Sequence, residues 1–248
     1  MGYEENKIEG RNAVLEAFRS GKTIDKLFVL DGCQDGPIKS ITREARKGDT
    51  IINYVNKERL DQISETGKHQ GVIAISAAYD YAEVEDILAN AESKGEAPFI
   101  IILDGIEDPH NLGAIIRTAN QAGAHGIIIP KRRAVGLTPT VARTSAGAIN
   151  YTPVAKVTNI TQTIKDLKDK GMWFVCADMD GTPMYDLNLT GSIGLVIGNE
   201  GDGVSKLVKE NCDMIATIPM KGDIDSLNAS VATGVLAYEI VRQRLGKK

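Results

Sequence analysis

The sequence lacks the cysteine spacing, the long apolar runs and the leader-like start that several protein classes require. Its three cysteines, Cys33, Cys176 and Cys212, stand far apart without CxxC or Cys/His spacing, so we expect reduced thiols and no structural metal. No apolar run approaches the roughly 18 residues of a membrane span, and no charged-then-apolar layout marks the N-terminus. These absences predict a cytoplasmic protein with neither a membrane segment nor a metal centre.

The charge balance identifies no partner. The chain has 29 Lys+Arg and 33 Asp+Glu, a formal net charge of −4, and nucleic-acid binding depends on clustered basic patches more than on net charge. Its 248 residues, 42% hydrophobic and 25% charged, suffice for one large domain or two modest ones with a proper core.

Periodicity predicts two α/β domains and a connector. In residues 1–79, short strands alternate with helices, which is typical of a small mixed sheet. Residues 80–97 are acidic and alanine-rich with one apolar helical face, and we interpret them as the connector. Across residues 98–248, strongly apolar strands such as Phe99–Leu103 alternate with helices, one of them predicted at about Thr138–Ala148, which favours a parallel sheet covered on both faces.

A helix predicted to start near Asn111 carries an arginine on its outer face. Leu112, Ile115 and Ile116 belong to one apolar stripe, and Arg117 lies roughly 150° from the centre of that stripe. Open α/β sheets bind ligands at such positions after a strand. Taken alone, such an arginine is more often solvated or salt-bridged.

Two further groups of polar residues fit either a ligand or a solvated surface. Basic side chains after the strand Gly126–Ile129 are placed to contact phosphates, although charge runs are usually solvated. These side chains are Lys131, Arg132, Arg133 and Arg143. In the N-terminal part, Arg11 with Asn12 and the run Lys68–Gly71 occupy predicted loops, and exposed polar loops rarely need a ligand to explain them.

The loop Ile197–Ser205 follows a strong strand and precedes a helix. Its glycines do not meet the GxGxxG spacing, and no Lys-Ser/Thr follows as in a P-loop, so NAD or nucleotide triphosphate binding is weakly supported. Glycines there permit a close approach of backbone to a ligand. Glu200 is either a turn residue or a clamp for a basic side chain.

The last helix, predicted at Ser226–Leu245, begins with an unusual polar set. Ser226 fits the role of its N-cap, but capping explains one polar residue and not Asn228 and Ser230 as well. The body of the helix is apolar nearly all round. Such a helix is either buried in its own domain or shared with a partner subunit.

Three stretches together resemble the motifs of the SpoU (TrmH-type) RNA 2′-O-ribose methyltransferases of the SPOUT superfamily. They are Asn111–Ala119, Ile197–Gly201 and Ile218–Ala232. The N-terminal stretches Gly10–Ala17 and His69–Val72 resemble the small L30e-like substrate-binding domain of the branch that methylates a 23S rRNA guanosine.

The resemblance implies an α/β fold with a knotted (trefoil), mostly parallel C-terminal domain, S-adenosylmethionine as cofactor, RNA as partner and a homodimer formed through the catalytic domains. The catalytic group it implies is Asn111, Arg117, Glu200, Ser226 and Asn228. The implied cofactor residues are Gly198, Asn199, Ile218, Met220 and Leu227. The candidate RNA contacts are Arg11, Asn12, His69, Gln70, Lys131, Arg132 and Arg143.

The chemistry favours a particular role for Arg117. A guanidinium stays protonated in proteins, so we interpret Arg117 as an electrostatic clamp, oriented by Glu200, rather than as a general base. Three alternatives stay open: a tRNA ribose methyltransferase, a non-catalytic RNA-binding or ribosome-assembly factor, and a nucleotide-dependent enzyme using the loop at Gly198–Gly203.

Overall fold

A computed structural model of the chain describes residues 6–223 and 226–246. The contacts divide the chain into two compact units. The first contains the described residues up to Asp80 together with Gly136–Thr140, and the second contains Tyr81–Val135 and the described residues from Val141 onward.

The first unit is a small α/β domain around a mixed sheet. Its strands follow the order β1-β4-β2-β3, in which β2 and β3 are parallel and the other two pairs are antiparallel. Two clusters of buried apolar side chains form the core, one containing Val14 and Leu27 and the other Leu60. The elements are β1 (Asn6–Glu9), α1 (Arg11–Arg19), β2 (Ile24–Leu30), α2 (Gly36–Lys47), β3 (Ile51–Val55), α3 (Lys57–Ile63) and β4 (Val72–Ser76).

Two of these elements were not predicted from the sequence. Strand β1 has four residues, too few to show an alternating pattern. Helix α3 has seven residues and buries Leu60 alone, so it shows no apolar stripe. The start of α3 is set by capping, because the Asn56 side chain accepts a hydrogen bond from the backbone N–H of Arg59.

The carboxylate of Glu9, at the end of β1, holds the loop that precedes β4. It accepts hydrogen bonds from the hydroxyls of Ser64 and Thr66 at 2.5 Å each and from the backbone N–H of Glu65 at 2.6 Å. Burial by itself would raise the pKa of Glu9, but these hydrogen bonds outweigh it and lower the pKa to about 2. The ionised form of Glu9 is therefore the one that stabilises this loop.

The second unit is built on a six-stranded sheet with the order β10-β8-β9-β5-β6-β7, and all five strand pairs are parallel. Its strands are β5 (Phe99–Asp104), β6 (Gly126–Pro130), β7 (Val154–Val157), β8 (Trp173–Pro183), β9 (Ile193–Gly198) and β10 (Met214–Thr217). Its helices are α4 (Val84–Ser93), α5 (Pro109–Gln121), α6 (Pro139–Thr144, which begins in the first unit), α7 (Ile160–Asp169), α8 (Lys206–Asn211) and α9 (Ala229–Arg244).

Helices cover both faces of this sheet, as the apolar strands predicted. Ile100 and Ile102 of β5 belong to a buried cluster with residues of α4, α7 and α8. The alternating residues Ile101 and Leu103 point to the other face and are also fully buried. Helices α5 and α9 pack against each other, and against β6 and β9 respectively.

Helix α4 lies within residues 80–97, which the sequence predicted to be a connector. Its Ile87 and Ala91 are fully buried, and Ile87 joins the core cluster of the second unit. Gly126 of β6 lies so close that an added Cβ would be 2.5 Å from Ile87 Cγ1. The acidic composition thus marks the outer face of a packed helix. The domain limits, including residues 80–97 as the connector, stay predictions.

The helix expected at Thr138–Ala148 is interrupted. Helix α6 ends at Thr144 and a 3₁₀ turn follows at Ala148–Asn150. Between them, Ala146 and Gly147 adopt positive φ angles of 50° and 88°, which a right-handed helix cannot contain.

Three further expectations concern membrane helices, a metal site and the trefoil knot. Over residues 6–223 and 226–246, none of the helices combines the length and apolar character of a bilayer span, and no cluster of three or more His, Cys, Asp or Glu side chains is arranged to hold a metal ion. The trefoil knot stays a prediction.

Replacing Glu9 with glutamine should destabilise the first unit by about 2 kcal/mol at pH 7, because the amide offers one acceptor oxygen and turns an NH₂ group toward donors. Since the pKa of Glu9 is lowered from 4.5 to about 2, its contribution is present above pH 4.5 and is lost as the pH falls toward 2. Urea unfolding of both proteins at pH 7 and at about pH 2 measures this.

The matched control is Glu65→Gln, which neutralises a 63% exposed side chain paired with Lys7 and should change the free energy of unfolding by less than about 0.5 kcal/mol. A Glu9→Gln protein as stable as wild type at pH 7 would contradict the role assigned to the carboxylate.

Candidate active site

A cavity of about 530 Å³ opens at the carboxyl ends of β9 and β10 and beside the middle of β8. This is the edge at which open parallel sheets bind ligands. Four stretches line it: 177–179 from β8, 197–203 at the end of β9 and after it, 216–220 with Gly222 at the end of β10 and after it, and parts of 226–232 at the start of α9. Its volume lies within the range of roughly 300–1,000 Å³ that is typical of small-molecule sites.

The glycine loop after β9 is folded back on itself. A Cβ on Gly198 would lie 2.0 Å from the carbonyl carbon of Gly203, so these two backbones are in direct contact. The Asn199 side-chain oxygen accepts hydrogen bonds from the backbone N–H groups of Gly201 at 2.9 Å and Asp202 at 2.7 Å. Asn199 thereby makes an Asx turn, which fixes the wall of the cavity.

Glu200 joins three distant segments through one carboxylate oxygen. Its Oε1 accepts hydrogen bonds from the side-chain amides of Asn111 at 2.6 Å and Asn228 at 3.0 Å. The backbone N–H of Ala229, at the start of α9, lies 3.3 Å from the same oxygen. Asn228 also donates to the side-chain oxygen of Asn111 at 2.9 Å. We call Asn111, Glu200 and Asn228 the amide–carboxylate cluster.

Asn228, and not Ser226, is the N-cap of α9. Its Oδ1 accepts hydrogen bonds from the backbone N–H groups of Ser230 at 3.0 Å and Val231 at 3.4 Å. Ser226 lies two residues further upstream, is exposed and lines the cavity. The proposed N-cap was therefore wrong, because the helix begins three residues later than the apolar pattern indicated.

Arg117 lies on the exposed face of α5, as its position in the helical period predicted, while Leu112, Ile115 and Ile116 are buried. Within the described residues it forms no hydrogen bond or ion pair, so Glu200 does not orient it inside one chain. The helical period explains the separation. Asn111 and Arg117 are six residues apart and project about 120° from each other around α5.

The predicted cofactor residues gather at one place. Gly198, Asn199, Ile218, Met220 and Leu227 all line the cavity. Asp178 and Met179 at β8 and Asp202 in the glycine loop line it as well and were not predicted. Asp178 follows directly after the predicted strand Met172–Ala177, so the strand-end rule that selected the other loops would have found it.

Asp178 is bound to a lysine of α8. The Lys209 ammonium lies 2.7 Å from its Oδ2, and the backbone N–H of Asp180 donates to its Oδ1 at 3.1 Å. Burial by itself would raise the pKa of Asp178, but these bonds outweigh it and lower the pKa.

In the first unit, three of the candidate RNA contacts are tied to their own domain. Arg11 forms an ion pair with Asp35 at 2.6 Å and donates from Nε to the backbone oxygen of Gln70 at 3.0 Å. The Gln70 side chain accepts from the backbone N–H of Arg11 at 3.1 Å. His69 is buried, with Nε2 2.9 Å from Asp61 and Nδ1 accepting from the backbone N–H of Gly71.

His69 therefore serves its own loop, which corrects the predicted RNA contact, because a buried imidazole with both nitrogens engaged has no free polar group for RNA. Asn12 and Lys68 beside it are exposed. In the second unit, Arg132 and Arg143 are exposed and Lys131 is partly buried, so the basic cluster is accessible at least in part.

Comparison with known proteins agrees with this geometry. A family model described as the SpoU rRNA Methylase family matches residues 98–238. The chain belongs to the SpoU rRNA methylase family. A second model, described as RNA 2′-O ribose methyltransferase substrate binding, matches residues 7–82. Membership places the chain among the RNA methyltransferases.

Similar proteins cover both halves of the chain. A Bacillus subtilis (strain 168) protein named as a TrmH family tRNA/rRNA methyltransferase, YacO, is 48% identical over 98% of both chains. A crystal structure of an AdoMet-bound rRNA methyltransferase from Sinorhizobium meliloti matches with 25% identity and a TM-score of 0.60, covering 97% of this chain and 88% of that chain. The A. aeolicus TrmH/SpoU tRNA modifying enzyme matches with 29% identity and a TM-score of 0.56, covering 61% and 77%.

The closed glycine loop predicts a difference between two alanine variants. Gly198→Ala should destabilise the second unit by about 1–3 kcal/mol, because its Cβ would overlap the backbone of Gly203. Gly201→Ala is the matched control, since its Cβ would meet nothing closer than Asn199 Oδ1 at 3.5 Å. Thermal and urea unfolding of both variants test this, and equal stabilities would disprove the contact.

Proposed function

We propose that this family member transfers a methyl group from S-adenosylmethionine to the 2′-hydroxyl of a ribose in RNA, and that the ribose belongs to a guanosine of 23S rRNA. The observation that carries the proposal is the amide–carboxylate cluster, whose Glu200 lines the cavity. It brings together one residue from each of the three family motifs, although their sequence separations reach 117 residues.

The cavity suits the cofactor in its shape and its chemistry. Gly198 and Gly203 present bare backbone to it, and Ile218, Met220 and Leu227 supply apolar surface, a combination that fits a ligand with a flat base and a polar tail. When bound there, S-adenosylmethionine supplies a methyl group on a positively charged sulfur. The Sinorhizobium meliloti relative was crystallised with this cofactor, which supports the same assignment.

The chain's own residues then position the acceptor. Ser226 is exposed at the cavity, and Glu200 fixes the Asn111 and Asn228 amides against each other. We assign these three side chains to holding the ribose. Arg117 carries a permanent positive charge on the exposed face of α5. We assign it to the phosphate beside the acceptor and to the negative charge that develops on the ribose oxygen.

The coverage of the solved relatives supports rRNA over tRNA. The rRNA methyltransferase matches across 97% of this chain, whereas the tRNA modifying enzyme matches 61%. The first unit, which matches the substrate-binding model, is then the part that selects the RNA. We place its contacts at exposed Asn12 and Lys68, with Arg11 and Gln70 shaping that surface.

A homodimer through the second unit is part of the proposal. Along α9 and at its C-cap, three apolar side chains are exposed at intervals of seven residues: Val231 at 50%, Tyr238 at 50% and Leu245 at 63%. Seven residues are close to two helical turns, so the three form one stripe. An apolar stripe opposite a buried face is what a helix shared between two subunits requires.

Arg117→Ala should lower the rate of RNA 2′-O-methylation about 10²–10³-fold with little change in cofactor affinity, because the charge acts on the transition state. Protection of total rRNA and tRNA from alkaline cleavage measures the reaction and maps the methylated nucleotide. Arg117→Lys keeps the charge without the forked geometry and should recover part of the rate.

Arg43→Ala, which removes a 71% exposed arginine from α2, is the control and should keep full activity. Equal methylation by wild type and Arg117→Ala would reject the catalytic assignment. Protection appearing in tRNA and not in rRNA would reject the proposed substrate.

The dimer can be tested at the α9 stripe. Tyr238→Arg places a charge in the centre of the apolar stripe and should shift the protein from dimer to monomer in multi-angle light scattering. Tyr151→Arg, at a 79% exposed tyrosine outside α9, should leave the mass unchanged. A wild-type monomer at micromolar concentration would contradict this part of the proposal.

A further inference from the structure

The charges at the cavity have one sign. Three of the described residues that line it are ionisable, namely Asp178, Glu200 and Asp202, and all three are acidic. The described lining contains neither lysine nor arginine. A concave site with charges of one sign raises the local concentration of oppositely charged ligands.

These three carboxylates are not equally compensated. Asp178 forms an ion pair with Lys209 at 2.7 Å. Glu200 accepts hydrogen bonds from uncharged amide groups, which leave its negative charge in place. Asp202 has no ion-pair partner in the part of the chain that the structure describes. Two formal negative charges at the cavity therefore remain uncancelled.

The backbone of Asp202 is held in position. Its N–H donates to the Asn199 side chain at 2.7 Å, and the backbone N–H of Gly203 donates to the backbone oxygen of Asn199 at 3.0 Å. Asp202 is thus part of a closed turn that lines the cavity, which keeps its carboxylate near the ligand site.

The reaction changes the charge of the ligand in this cavity. Methyl transfer breaks the bond between carbon and sulfur, leaves that electron pair on sulfur, forms a carbon–oxygen bond to the ribose and releases the hydroxyl proton to solvent. The donor therefore has one positive charge more than S-adenosylhomocysteine, the product, and the two are otherwise closely similar.

We propose that Asp202, together with Glu200, makes the cavity prefer the cationic donor over the neutral product, so that loss of the sulfur charge assists product release. The inference rests on the proposed function, because it assigns a selectivity to the same site. Asp202 acts through the electrostatic field at the ligand and takes no part in the transfer itself.

Isothermal titration calorimetry with S-adenosylmethionine and S-adenosylhomocysteine tests this. Asp202→Asn keeps the shape of the side chain and removes its charge. We expect donor affinity to fall about two- to fivefold, the scale of one exposed charge pair, with product affinity nearly unchanged. Raising the salt concentration from about 0.05 to about 0.5 M should also lower the ratio of donor affinity to product affinity in the wild-type protein. This measurement needs no variant.

Asp169→Asn is the matched control, because Asp169 is an exposed aspartate at the end of α7 and does not line the cavity. It should leave the ratio of the two affinities unchanged. If both ligands bind and neither Asp202→Asn nor salt changes that ratio, the inference is wrong while the proposed function stands. If wild type binds neither ligand, the proposed function fails and the inference fails with it.

Discussion

One carboxylate oxygen organises the candidate active site. Three N–H donors, from Asn111, Asn228 and Ala229, converge on Oε1 of Glu200. Hydrogen bonds to an ionised acceptor are about twice as strong as neutral ones. Without the Glu200 carboxylate, the three N–H groups would lose this acceptor, and leaving donors unsatisfied costs free energy. The positions of the three motifs relative to one another depend on this one group.

The same contacts link the start of α9 to the site. Asn228 caps the helix through its side-chain oxygen and donates to Asn111 and Glu200 through its side-chain nitrogen. The oxygen of the Asn228 amide therefore stabilises the start of the helix, and its nitrogen holds the candidate active site together. A serine at this position could cap the helix but would lack the amide NH₂ group that donates to Asn111 and Glu200.

Much of the architecture follows from the sequence, because it depends on local periodicity. The apolar runs of β5 and β9 predicted a parallel sheet covered on both faces, and the spacing of Leu112, Ile115 and Ile116 predicted the exposed side of α5. The resemblance to the SpoU family identified residues that gather at the cavity. Periodicity indicates which face of a helix or strand is buried, and this explains why the covered sheet and the exposed side of α5 were predicted correctly.

The remaining features depend on contacts between distant residues. No spacing shows that Glu200 meets Asn111 across 89 residues, or that Arg11 pairs with Asp35. Composition likewise shows the acidic outer face of α4 and not the burial of its Ile87 and Ala91. Long-range packing decides such cases, and composition cannot report it.

The strand order has a consequence for the newly made chain. Strand β9 lies between β8 and β5, although β5 ends at Asp104 and β9 begins at Ile193. As the polypeptide leaves the ribosome, β5 exposes an unpaired edge until about 90 further residues have emerged, the separation between paired residues of the two strands. Unpaired apolar edges attract other chains, so β5 is open to pairing with other chains throughout this interval.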